Sequence, residues 1–137
     1  MNRYDFQRLA TTRLADARVL FRNGRFEASY YLAGYVVECA LKACIAKKTK
    51  RFDFPDKSLA IGAYSHDLLQ LAKVADVDEE IMAESANDPL FLVQWTLARK
   101  WSEQSRYHSK SKEEAQALLK AVGDRKQGIL RWIRQHW

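Results

Sequence analysis

Arg106, Tyr107 and His108 put a permanent cation, a phenol and a proton-transferring imidazole side by side. They fall at the junction of the last two helices that the pattern predicts, where polar side chains from two copies of the chain could converge on a phosphate. The same residues could instead hold the junction, with Arg106 bonding carbonyls left exposed at a helix end. His66 follows Ser65 and precedes Asp67. That arrangement could be half of an acid–base pair, and capping with the helix dipole explains it equally well. Lys42, Glu38 and Tyr35 share a polar strip on one helix, read either as the wall of a small cleft or as a structural ion pair facing solvent or a second subunit. Tyr107, Lys42, His66 and Arg99 are the candidate ligand-binding residues, and Arg106 with His108 the candidate catalytic pair. Trp95, Trp101, Trp132 and Trp137 could stack on bases, although tryptophan at helical spacing more often fills a core or a dimer interface. Neither the number nor the spacing of the histidines suits a metal, so no metal and no cofactor is expected.

The element that must position these groups is the stretch 27–48, EASYYLAGYVVECALKACIAKK. Apolar residues recur at Phe26, Tyr30, Ala33, Val37, Leu41 and Cys44, the helical period. A second row through Leu32, Val36, Cys39 and Ala43 leaves only a narrow polar strip of Glu27, Tyr31, Glu38 and Lys42. Such a helix must be covered on several sides. Its charges and tyrosines disqualify it as a membrane span, so other helices of the same chain or of a second copy have to cover it.

Before it, residues 4–22 read as a helix with Phe6, Ala10, Leu14, Ala17 and Phe21 inward and a basic outer side, ended by Asn23-Gly24. A loop is expected over 49–64, around Pro55 and Gly62. Ser65 should cap a short helix to Ala75 and Asp78 another to about Ala86. Asp88-Pro89 should open a helix to about Gln104 with Leu90, Val93, Leu97 and Trp101 inward. Ser111 and Glu114 form a capping box for a last helix that buries Ala115, Leu118, Val122, Ile129 and Trp132. Gly123 and Gly128 weaken it.

A chain of 137 residues with 47% hydrophobic and 29% charged side chains is expected to form one folded domain over 1–137 with a core of its own. Cys39 and Cys44 lie on different faces of one helix, where a disulfide would be strained; they read as reduced, packed thiols. With no apolar leader in the first residues, the expected setting is cytoplasmic, away from any membrane. The net charge of +6 is unevenly placed. Lys42, Lys47, Lys48, Lys50 and Arg51 crowd the end of the central helix, whereas 76–88 holds six acids and no base. That asymmetry suggests steering of an anion or pairing between copies, or simply cations complementing a helix dipole.

The strings GRFEASYYLAGYVVECALKA, YSHDLLQLA and W followed by SEQSRY, then a terminal helix, resemble the HEPN domain family over nearly the whole chain. The resemblance implies an all-α, up-and-down bundle of four to five main helices, usually a homodimer, with a connection to RNA or nucleotides. Many members are metal-independent endoribonucleases, often toxins neutralised by a nucleotidyltransferase-like partner, and others bind nucleotides or proteins without catalysis. In catalytic members an arginine, four to six residues and then a histidine lie near the start of the last helix, facing a second copy across the dimer. Histidine can move the proton of a ribose 2′-hydroxyl while arginine stabilises the charged phosphate. Here Arg99 and His108 are too far apart and Arg106 and His108 too close for that spacing. Arg131 and His136 fit it, but 12 arginines and three histidines supply roughly 0.8 such matches by chance. The reading is therefore a HEPN-type binding module, homodimeric, engaging RNA or a nucleotide and a nucleotidyltransferase partner in a toxin–antitoxin or defence setting. The competing readings are an endoribonuclease using Arg106 and His108 across the dimer, and a helical adaptor that binds protein through its acidic segment and aromatics.

Overall fold

The computed structural model describes residues 1–49 and 57–137. Helix α1 (Arg3–Arg22) starts in a capping box in which the Asn2 side chain accepts from the Asp5 backbone and the Asp5 carboxylate accepts from Asn2. Gly24 turns the chain in the left-handed region, φ 74°, and α2 (Phe26–Lys48) returns along α1. Buried Ser29 ties the two together by donating to the Ala17 carbonyl at 2.8 Å.

Helix α2 is the axis of the molecule. Thirteen of its 23 residues are buried, more than one face can supply, so packing must come from several directions. The cover consists of α1, α3 (Lys57–Ala63), α4 (Leu68–Val74), the 3-10 turn Glu103–Tyr107, α7 (Lys112–Gly123) and α8 (Ile129–Ile133). Helices α5 (Asp78–Asn87) and α6 (Pro89–Arg99) close the far side, α6 against α7. Among the described residues there are eight α-helices and no strand, an all-α bundle as expected, with short helices added to the expected four or five. None of these helices is long and apolar enough to cross a membrane.

Several local expectations are corrected. Part of the expected loop 49–64 is helix α3; residues 50–56, with Pro55, lie outside the described residues. Asp67, not Ser65, caps α4, accepting from Gln70 N, while Ser65 Oγ accepts from Asp67 N. Asp78 is the first residue of α5 and Val77 its cap. The Asp88 cap with Pro89 behind it is observed, but α6 stops at Arg99 and turns a different face inward. Phe91, Gln94, Trp95 and Ala98 are buried, whereas Leu90 and Val93 are exposed. Both stripes have helical spacing, and the one with the larger rings takes the core. Trp101 lies beyond the helix, in the connection, and is buried there. The capping box of Ser111 and Glu114 is observed, but the last helix is two helices broken between Gly123 and Gly128. At Gly128 a side chain would overlap the Asp124 backbone, so that glycine makes the break possible.

Cys39 and Cys44 are free, buried thiols, and burial pushes each up to about 11. At pH 7 only on the order of one thiol in 10⁴ is thiolate, the reactive form. Alkylation by iodoacetamide should therefore be very slow in the folded protein and fast after denaturation in urea. Rapid labelling of the native protein, followed by mass spectrometry, would contradict the burial.

Candidate functional site

The polar strip of α2 is exposed at Glu27 and closed over at Glu38. Glu38 is 2% exposed, a carboxylate inside the core, and such a group must be paired to be tolerated. One turn along, the half-buried Lys42 Nζ donates to Glu38 Oε1 at 2.9 Å. His66 Nδ1 reaches the same oxygen at 2.9 Å from the segment before α4, and its Nε2 lies 3.3 Å from Glu103 Oε2 in the 3-10 turn. The Asp67 cap fixes where α4 begins and so where the preceding His66 sits. Three separate parts of the chain thus meet at the His66 ring, between two carboxylates.

The 3-10 turn is held beside this network by Trp101. Its indole Nε1 donates to the Tyr31 carbonyl at 3.2 Å, and its ring packs at 5.9 Å from the Tyr31 ring. A methyl group at Gly34 would overlap the indole, so the ring lies on bare α2 backbone. Tyr31 stacks on Tyr35 at 6.3 Å and nearly parallel. Burial, then the neighbouring Cys39, pushes Tyr35 up to about 12, so it is a neutral phenol. Past Trp101, Ser102 caps the turn by accepting from Gln104 N, and the turn projects Arg106 and Tyr107 outward. The Arg106 guanidinium lies over the Tyr107 ring at 4.8 Å. Tyr107 first, and Tyr31 after it, raise the Arg106 pKa, so the group is a cation at any working pH. Nearby in sequence, Lys110 Nζ sits 4.7 Å from the Tyr30 ring centre and 3.6 Å from Glu114.

Of the sequence candidates, Lys42 and His66 are brought together through Glu38, and Arg106 stacks on Tyr107. His108 caps the turn as an exposed residue whose side chain has no hydrogen-bond or ion-pair partner among the described residues. Arg99 belongs elsewhere, on a groove of about 420 Å³ between α4, α5 and α6 with Asp78 and Trp95. The expectation that Glu38 and Lys42 face solvent or a second subunit is corrected: residues of the same chain cover them. Glu103 and Tyr31 escaped the sequence reading. The spacing places Glu103 at the end of the helix expected to run to about Gln104, and Tyr31 only on a polar strip. Trp95 and Trp101 are core, and Trp132 is partly buried against Phe91 and His136.

The family model described as HEPN domain matches residues 5–134. No curated protein and no solved structure matches the chain.

Three variants test this architecture. Glu38→Ala strands Lys42 beside an empty, buried carboxylate site and should cost about 3–5 kcal/mol in chemical denaturation. The double change Glu38→Leu with Lys42→Met removes both charges and should recover most of that loss. Gly34→Ala gains up to ~1 kcal/mol of helix propensity but forces an overlap with Trp101 of about 1–3 kcal/mol, so the net effect should be destabilising. A more stable Gly34→Ala protein would mean that the indole does not rest on α2.

Proposed function

The chain belongs to the HEPN domain family, and on that premise we propose that it is a homodimeric binding module whose Arg106–Tyr107 face engages RNA or a nucleotide. The observation that carries this reading is the exposed guanidinium stacked on an exposed phenol, at 4.8 Å. A flat cation and a ring side by side match a phosphate beside a base, because the guanidinium forks onto phosphate oxygens and the ring offers a stacking surface. The turn behind them is pinned by Trp101 and by Glu103 against His66, so little ordering is left to do on binding. Exposed Leu90, Leu92 and Val93 on α6 supply an apolar surface for the second copy. A nucleotidyltransferase-like partner and a toxin–antitoxin or defence setting follow from the family resemblance.

Binding is favoured over catalysis by the surroundings of the histidines. His66 has each ring nitrogen engaged by a carboxylate, and exposed His108 has no orienting group among the described residues. A general base works best when a third group holds it in place. The endoribonuclease reading nonetheless names its own residue, His108, with Arg106 as the phosphate contact.

Single-stranded RNA should bind with an affinity that falls steeply with salt. Arg106→Ala should flatten the slope of log affinity against log salt by about 0.7 for each phosphate that is no longer neutralised. An unchanged slope, with the protein folded, would remove Arg106 from the interface, whereas no salt-sensitive binding of RNA at all would leave the adaptor reading. If the wild type also cleaves RNA and His108→Ala abolishes cleavage while binding persists, the protein is the nuclease instead.

A further inference from the structure

A second basic feature lies away from the Arg106 turn, where α1 meets the α7–α8 break. A cleft of about 350 Å³ is lined by Arg18 from α1, Arg125 from the break, and Arg131 and Arg134 from α8 and its end. Four arginines and a single acidic residue, Asp124, line it. Asp124 Oδ1 accepts from Lys126 N and Gln127 N, both at 2.9 Å. Those bonds, Gln127 first, hold its carboxyl below the ordinary value. Its charge is spent on the turn backbone, not on the arginines.

Elsewhere on α1 the arginines are neutralised locally, Arg8 by Asp5 at 2.9 Å and Arg13 by Asp16 at 2.6 Å. Among the described residues, none of the four cleft arginines pairs with a carboxylate. Two of them are positioned. Arg18 donates to the Gly123 carbonyl at 2.7 Å, and Arg134 lies 3.5 Å from Thr11 Oγ1. Gly123 gives Arg18 its room, since a side chain there would come within 3.0 Å of the guanidinium. Each bond uses one of five N–H donors, leaving the rest for a ligand. Like charges gathered in one concavity repel one another, and a bound anion relieves that repulsion. The volume falls at the small end of the roughly 300–1,000 Å³ typical of small-molecule sites.

We propose that this cleft is a binding site for a phosphoryl group, in which Arg18 and Arg134 are the positioned donors and Arg131 the open one. The group is carried either by a small oligophosphate or by the backbone of a nucleic-acid strand. The site is independent of the Arg106 face and of the reading built on it.

The test titrates isotope-labelled full-length protein with inorganic tripolyphosphate at constant ionic strength, followed by NMR with sodium chloride as the control. Saturable shifts should centre on Gly123 and Thr11. R131Q and R134Q should each weaken binding about tenfold, as expected for one charge-assisted hydrogen bond. R8Q and R13Q remove the same net charge on the paired side of α1 and should change it less than twofold. No saturation, or equal weakening by all four variants, overturns the site. A second arm measures single-stranded RNA. If R131Q and R134Q flatten its salt slope, the strand is the source of the phosphate; if they do not, a small oligophosphate is. Tripolyphosphate binding in a protein that ignores RNA sustains the cleft and removes RNA, though not a nucleotide, from the function proposed for Arg106.

Discussion

A single buried carboxylate sets the terms for the rest of the molecule. Glu38 sits on the most enclosed helix, where an unpaired charge is intolerable, and it is satisfied by Lys42 of its own helix and by His66 from 28 residues further on. Apolar contacts along α2 are non-directional and would tolerate small slides of the covering helices. The hydrogen bonds to Glu38 are directional, and they specify where the start of α4 lies along α2. Through His66 the same constraint passes to Glu103 and the 3-10 turn.

Trp101 extends that constraint to the surface. The indole is large, carries one donor and lies on backbone exposed by Gly34, so it has one good position. The turn that follows cannot drift far from α2, and Arg106 and Tyr107 are presented from a rigid base although both are exposed. A polar knot inside and an aromatic lock beside it thus give a short surface segment the stiffness that recognition requires.

The charges divide in the same way into paired and unpaired. Arg8, Arg13 and Lys48 each meet an acid nearby, Lys48 reaching Asp76 as well as the Val74 carbonyl. These exposed pairs add little stability, but they remove basic surface. Among the described residues, Arg106 and the four arginines of the cleft between α1 and α8 have no such acid partner. The uneven distribution of charge was visible along the chain, yet the expected basic centre at the end of α2 is partly consumed by Glu38 and Asp76.

How much was legible from residue order depends on how local each signal is. The period of α2, the Gly24 turn, the Asp88-Pro89 start and the box of Ser111 with Glu114 each involve neighbours within a turn or two, so spacing revealed them. So did the all-α class and the packed state of Cys39 and Cys44. The inward face of α6 was misread because Leu90 and Val93 and Phe91 and Trp95 form equally periodic stripes, and only the shape of the core chooses between them. Likewise the pairing of Glu38 with His66, the approach of Glu103 and the gathering of four arginines join residues far apart in sequence. Sequence by itself determined which of the longer segments coil and where several of them start, because those preferences are settled by backbone hydrogen bonds and side chains a few residues away. Only the tertiary structure decided which polar groups meet, because burial makes each unpaired charge find its partner wherever packing brings one within reach.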